Sequence, residues 1–223
     1  MQFRHEFKQN INYCDYIAVR ARLRAVLKPD RLASQTGVYL IRSLYFDNAD
    51  DKALREKAEG VNIREKFRLR YYNNDDSFIR LEKKSKINGL CSKQSTEVTR
   101  EMCESIIKGK TAFLIDSGDP LLTDIYSKMK YQQLRPKTIV EYTREAYIFP
   151  AGNVRITFDS NIRSGITSTD FFSKELVTLG APDSGIILEV KYDAFIPQFI
   201  SDVLQMNNRR TTGFSKYAAC RVI

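Results

Sequence analysis

The sequence predicts an α+β fold organised around one large antiparallel sheet. Segments 38–47, 62–72, 78–87, 138–149, 154–159 and 185–192 are rich in β-branched and aromatic residues, the composition of strands. Turn clusters at Asn73-Asn74-Asp75-Asp76, Asn88-Gly89 and Pro150-Ala151-Gly152-Asn153 punctuate them. Strands joined by turns this short pair antiparallel, because a parallel crossover needs about a dozen residues or more.

The helices are few. Asn12 caps one that carries Tyr16, Ile17, Val19, Leu23 and Leu27 and stops near Pro29. Residues 48–59 read as a short polar helix ended by Gly60, and Thr99 introduces a helix over 100–108 ended by Gly109. Asp119-Pro120 is a cap and first-turn pair for a helix bearing Leu121, Leu122, Ile125, Tyr126 and Met129. A last helix follows Pro197 and uses Phe199, Ile200, Val203 and Leu204.

At 223 residues, with no linker, repeat or break in composition, the expected organisation is a single domain over residues 1–223. Lys and Arg number 36 against 27 Asp and Glu, a net charge of +9 and a pI near 9.3. That field favours anionic partners, whether nucleic acid, anionic lipid or polyphosphate. Cys14, Cys91, Cys103 and Cys220 form no C-x-x-C pair, so neither a zinc site nor a secreted disulfide framework is expected. Arg4, Glu6 and Lys8 interrupt any apolar leader, and no apolar run is long enough to span a bilayer. A cytoplasmic protein with reduced thiols is the expectation.

The charges are patterned. Strand side chains alternate between faces, so Arg64, Lys66, Arg68 and Arg70 share one face while Phe67, Leu69 and Tyr71 take the other. Arg80, Glu82, Lys84 and Lys86 repeat the arrangement opposite Ile79 and Leu81. Arg4, Glu6 and Lys8 oppose Phe3, His5 and Phe7; Arg155, Thr157 and Asp159 oppose Val154, Ile156 and Phe158; Glu189 and Lys191 oppose Leu188, Val190 and Tyr192. One such strand could be a solvated outer face. Their recurrence argues otherwise, since like charges opposite one another on paired strands are destabilising. A sheet with an apolar face under helices and a charged face around something can close into a barrel with a polar lumen. Its natural occupant is a polyanion, because Arg presents bidentate donors to phosphate and Lys a movable charge. The few carboxylates would serve to hold a divalent ion. His5 falls on the outward face and reads as structural.

Family motifs run along nearly the whole chain. They are Phe3-Arg4-His5-Glu6-Phe7-Lys8, Ser43-Leu44-Tyr45-Phe46-Asp47, Glu56-Lys57-Ala58-Glu59-Gly60, Lys66-Phe67-Arg68-Leu69-Arg70-Tyr71 and Leu81-Glu82-Lys83-Lys84, then Tyr142-Thr143-Arg144-Glu145-Ala146-Tyr147, Arg155-Ile156-Thr157-Phe158-Asp159, Leu188-Glu189-Val190-Lys191-Tyr192 and Phe214-Ser215-Lys216-Tyr217. In this order they resemble the VTC-domain polyphosphate polymerases, a branch of the triphosphate tunnel (CYTH-like) superfamily. The resemblance implies a closed antiparallel eight-stranded β-barrel with helices packed outside. ATP would donate phosphate to a growing polyphosphate chain, with Mn2+ or Mg2+ as cofactor. It implies that Lys8, Arg64, Lys66, Arg68, Arg70, Lys84, Arg155 and Lys191 handle the phosphates in the catalytic centre, with Arg144 and Lys216 as further phosphate contacts. Arg4 and Lys86 join them on the same cationic faces. Glu189 is the leading metal ligand, with Glu6 and Glu82 as lesser candidates, while Tyr45 and Asp47 sit on the tunnel wall with no assigned chemistry.

Two departures matter. Triphosphatases of the superfamily carry paired Glu-x-Glu acids, where this chain has Arg4-x-Glu6, Glu82-x-Lys84 and Glu189-x-Lys191. Fewer acids and more cations favour holding a long phosphate chain over hydrolysing a short one. The polymerases also tend to place a second Lys shortly before the one matched by Lys216; here Gly213 stands there, with Arg209 and Arg210 upstream. The rival expectations are a tripolyphosphate or nucleoside triphosphate hydrolase on the same fold and a non-catalytic polyphosphate-binding module. Nucleic acid is not an expected partner, because the strand aromatics fall largely opposite the cations instead of among them. A membrane-protein partner that takes the product is compatible with the sequence.

Overall fold

The structure is a computed structural model that describes residues 3–30, 37–182, 185–206 and 210–221. In chain order the elements are β1 (Phe3–Ile11), α1 (Tyr13–Val26), β2 (Lys28–Pro29), β3 (Val38–Asp47), α2 (Lys52–Ala58), β4 (Arg64–Tyr72), β5 (Asp75–Ile87), β6 (Leu90–Val98) and α3 (Arg100–Ile107). A 3-10 turn at Ala112–Ser117 leads into α4 (Pro120–Tyr131), then β7 (Arg135–Phe149), β8 (Val154–Ser164), β9 (Leu179–Gly180), β10 (Ile186–Tyr192), α5 (Gln198–Val203) and α6 (Lys216–Ala219). The long strands follow one another around a ring in the order β7-β3-β4-β5-β6-β1-β10-β8, and β8 pairs back onto β7. Every pairing is antiparallel, and the two-residue β2 and β9 extend the ladders of β7 and β8. The predicted eight-stranded antiparallel barrel is therefore closed.

Turn chemistry sets the hairpins. Asn73 and Asn74 both take positive φ (52° and 57°), as do Asn88 and Gly89 (49° and 82°), the backbone of a two-residue turn whose twist suits antiparallel strands. The capping residues also hold. Asn12 forms a reciprocal capping box with Asp15, Thr99 accepts from Met102 N and Asp119 from Leu121 N.

The structure corrects several boundaries. The polar helix begins at Lys52 and not near residue 48, because the Asn48 side chain accepts from Lys52 N and Asp51 turns through a left-handed backbone. Strand β6 was not expected, since Cys91 to Glu97 are mostly polar on both faces and give no apolar alternation. Strand β7 starts three residues early; Pro136 is tolerated there because it faces Phe46 at a register shift in the ladder with β3. The short α6 was also unread.

Outward alternation supplies the core. Phe67, Leu69, Ile79 and Leu81 pack beneath Cys103 and Ile106 of α3 and Leu122, Ile125 and Met129 of α4. On the other side Val19 and Leu23 of α1 and Ile200 of α5 cover Ile156, Leu188 and Val190. Helix α6 differs: its Tyr217 and the adjoining Cys220 pack with Tyr45, Val140 and Tyr142 on the inward faces of β3 and β7. His5 is exposed and stacks on Tyr192 at 5.1 Å, as expected for an outward residue. All four cysteines are free thiols. Among the described residues no helix is long and apolar enough to cross a membrane.

Asp47 joins these parts. It is buried, accepts from the amides of Asn48 and Ala53 (both 2.9 Å) and Leu54 (3.2 Å), and accepts from the Tyr217 hydroxyl at 2.7 Å. One carboxylate thus caps α2 and anchors α6. Asp47→Ala should cost about 2–4 kcal/mol, a lost cap plus an orphaned buried hydroxyl, read as a lower urea midpoint. Ile17→Ala, on the half-exposed face of α1, should cost under about 1 kcal/mol in the same assay.

Candidate functional site

The period of the strands delivers the cationic face to the lumen. A cavity of about 350 Å³ is lined by Arg4, Glu6, Lys8, Lys66, Arg68, Arg70, Lys84, Arg144, Arg155, Glu189, Lys191 and Lys216, with Tyr45, Tyr72, Tyr142, Ser92 and Lys93 among them. A smaller chamber of about 130 Å³ shares Glu6, Lys8, Lys66, Lys84, Cys91 and Ser215 with it and adds Lys57, Arg64, Lys86 and Gly213. Every residue predicted from sequence to handle phosphate or metal lines one chamber or the other, except Glu82. Glu82 is buried behind the cations and reaches them from below. Arg80, on the same strand face, donates to Ser95 and is not part of either wall.

Four carboxylates organise the cations, three of them buried and Glu6 nearly so. Asp159 is fully buried, accepts two hydrogen bonds from Arg144 (2.6 and 2.7 Å) and lies 2.5 Å from Lys216 Nζ. Glu82 accepts from Arg68 at 2.7 Å and from Lys93 at 3.0 Å. Glu6 takes both its bonds from Lys84 (2.7 and 2.9 Å), with Lys8 at 3.2 Å. Glu189 lies 2.9 Å from Lys191, 3.5 Å from Arg144 and 3.9 Å from Lys8. Burial works to raise the Asp159 carboxyl, but Arg144 and Lys216 outweigh it and bring it to about 2. Glu6, opposed by burial and by Glu189, is also drawn to about 2 by Lys84, Lys8 and Lys191. Glu82 and Glu189 fall well below the usual carboxylate range despite burial, under the pull of Arg68 and Arg70 on the first and Lys191 and Lys8 on the second. All four are anions at neutral pH.

Lys66 has no carboxylate partner among the described residues. Burial, then repulsion from Lys84, Lys8 and Arg68, lowers its ammonium to about 7. Its neighbour Tyr45 is buried, accepts from Arg68 Nη1 at 2.8 Å and has Lys66 Nζ 5.5 Å from its ring centre. Burial favours the neutral phenol, yet Arg68, Lys66 and Arg70 prevail and bring it down to about 7. Polar atoms are also left open in the larger chamber: Ser92 Oγ and Arg155 Nε are buried without a hydrogen-bond partner. Such groups are satisfied in most proteins, and a bound oxyanion would satisfy these.

Sequence reasoning missed Tyr142, Ser92, Lys93 and Lys57 as parts of the wall. Tyr142 and Lys57 stand inside quoted motifs, and Tyr142 holds its place by accepting from Arg70 at 3.0 Å beneath Lys216, whose Nζ is 4.7 Å from the ring centre. Ser92 and Lys93 lie on the unread β6. Arg210 is exposed, and Arg209 lies outside the described residues.

The carboxylates offer a limited metal site. Among the described residues no three His, Cys, Asp or Glu side chains gather as a ligand set. Glu6 and Glu189 nonetheless face the same two ammoniums, Lys8 and Lys191. Two carboxylates suit Mg2+ or Mn2+ bound largely through substrate phosphate oxygens and water. Glu82, enclosed by Arg68, Arg70 and Lys93, is the least suited of the three.

The same architecture occurs in a solved structure, and others are similar to a lesser degree. A Hippeastrum protein described as a candidate adenylyl cyclase with a dominant triphosphatase activity matches with a TM-score of 0.55 at 12% identity, covering 100% of this chain and 96% of that one. A candidate adenylate cyclase from Bacillus halodurans gives a TM-score of 0.47 at 11% identity, covering 91% and 86%. The PH1012 protein of Pyrococcus horikoshii gives 0.46 at 13% identity, covering 90% and 85%. At such identities only the fold is established, and it is the triphosphate tunnel fold. No curated protein sequence matches the chain. The VTC domain model matches residues 3–222, and with the cation-lined barrel around those motifs this chain belongs to the VTC-domain family, with a polyphosphate- or triphosphate-related function.

Proposed function

We propose that the chain, acting as one unit over residues 1–223, is a polyphosphate polymerase that moves the γ-phosphoryl group of ATP onto a polyphosphate chain. The observation that carries this reading is the charge balance of the lumen: each acid is already held by two or more cations, while Lys66 has no carboxylate partner among the described residues. A lumen so arranged suits a long polyanion better than activation of water by free carboxylates.

In the reaction the bond between the γ-phosphorus and its bridging oxygen breaks, a terminal oxygen of the chain bonds to that phosphorus, and ADP leaves. The acceptor oxygen is already ionised, so no strong base is needed; placement and charge stabilisation suffice. Arg68 and Arg70, fixed by Glu82, Tyr45, Ser43 and Tyr142, present rigid guanidinium donors to the phosphates. Lys8, Lys84 and Lys191 face the same space around Glu6 and Glu189, with Arg155, Arg144 and Lys216 completing the wall. Glu189 and Glu6 would hold a divalent ion, which when bound supplies charge neutralisation on phosphate oxygens.

Incubating the protein with ATP and Mn2+ and resolving the products on a gel tests the reading. A ladder of polyphosphate is expected; phosphate release without polymer would instead favour the hydrolase. Glu189→Gln should abolish turnover and leave polyphosphate affinity equal or slightly higher, because a repelling charge is gone. Arg68→Ala should weaken ATP and polyphosphate together by about tenfold or more.

The pH dependence follows from Lys66 and Tyr45, both near about 7. A bound polyanion favours protonated Lys66 and neutral Tyr45. Above that pH, binding takes up protons, so affinity should fall as pH rises from about 6 to about 8, by at most about tenfold per unit for each proton taken up. Calorimetry in buffers of different ionisation heat reads the uptake directly, and Lys66→Arg should remove the Lys66 share, roughly half, and leave that of Tyr45.

A further inference from the structure

The two ends of the lumen are compensated differently. In the larger chamber Arg4 lies 2.8 Å from Asp193 and Arg155 lies 2.5 Å from Asp30. In the smaller chamber Lys57 of α2, Arg64 of β4 and Lys86 of β5 come together half-buried. None of these three has a carboxylate partner among the described residues; Arg64 donates only to the Val61 carbonyl. Several cations elsewhere on the surface are matched instead: Arg100 with Asp76 and Glu104, Lys128 with Glu65, Lys137 and Arg221 with Asp51. Three unmatched cations side by side repel one another, and an anion would relieve that cost.

Gly213 fits the same picture. A Cβ at this position would lie 3.1 Å from Lys57 Nζ, while the backbone there does not take the positive φ that calls for glycine. The missing side chain leaves room for the Lys57 ammonium at the chamber wall. Burial first, then Arg64, Lys8 and Lys86, also lowers the Lys57 ammonium.

We propose that Lys57, with Arg64 and Lys86, forms an outer subsite for the phosphate units of a chain too long for the central lumen, so that a polyphosphate chain leaves the protein past α2. This rests on the lumen being a phosphate site, but not on the protein being a polymerase. A short ligand such as tripolyphosphate fills the centre and does not reach the subsite, whereas a long chain engages it.

The test compares affinities for tripolyphosphate and for long-chain polyphosphate at one fixed salt concentration, for the parent, Lys57→Ala and Lys57→Ala/Gly213→Lys. Folding is not at stake in the single variant, since Ala is the better helix former on a half-exposed helix. Lys57→Ala should weaken long-chain binding by about three- to tenfold and leave tripolyphosphate affinity unchanged. Gly213→Lys should restore part of the loss by returning a cation to the same place. Equal loss on both ligands, or none on the long chain, overturns the subsite. Selective loss in a protein that makes no polymer from ATP would keep the subsite and overturn the polymerase. A parent that binds neither ligand would overturn both.

Discussion

Concentrating cations inside one barrel is opposed by their mutual repulsion, and the fold exists because four carboxylates in the barrel divide that repulsion into local pairs. A buried ion pair adds little net stability over an apolar pair, but removing one partner strands a charge in low dielectric at a cost of about 3–5 kcal/mol. Asp159, Glu82, Glu6 and Glu189 therefore act mainly as constraints on shape. Asp159 fixes the Arg144 fork and draws Lys216 of α6 to the wall. Glu82 aligns Arg68 from behind. Lys66, which has no such partner, is partly neutral near pH 7 and takes its full charge when an anion binds beside it.

The outer shell follows from the same alternation. On β4 the inward Lys66, Arg68 and Arg70 are followed by the outward Phe67, Leu69 and Tyr71, so helices α3 and α4 have an apolar surface to cover behind this charged stretch of the lumen. Inward faces of β3 and β7 are more apolar, and α6 occupies them, which narrows the lumen and carries Ser215 and Lys216 to its wall. Asp47 ties that plug to α2, so two elements bordering the smaller chamber share one anchor.

Much of this was legible in the sequence because period-two alternation encodes the lumen directly. Lys66, Arg68 and Arg70 against Phe67 and Leu69 state which side faces in. Strand β6 was illegible because a strand between two wall strands can be polar on both faces. Helix α6 was too short to show a period. The partners of the carboxylates were also hidden, since Asp159 reaches Lys216 only once the ring closes, and Lys57 stands on a helix where spacing says nothing about a chamber wall. Lowered ammonium and phenol at Lys66 and Tyr45 arise from burial and neighbours brought in from other strands.

The pairing of β1 with β10 has a consequence for how the molecule is made. It sets Phe7 beside Val190, so the first strand cannot complete its ladder until residues about 180 positions further on are available. Ladders this non-local fold slowly, and hairpins such as β4-β5-β6 form ahead of them. During synthesis the cationic faces of those early hairpins stand open, and the ring shuts only when β10 slots between β1 and β8. The charged interior is thus the last feature to mature, and a nascent chain passes through a stage in which its wall is an accessible, strongly basic sheet.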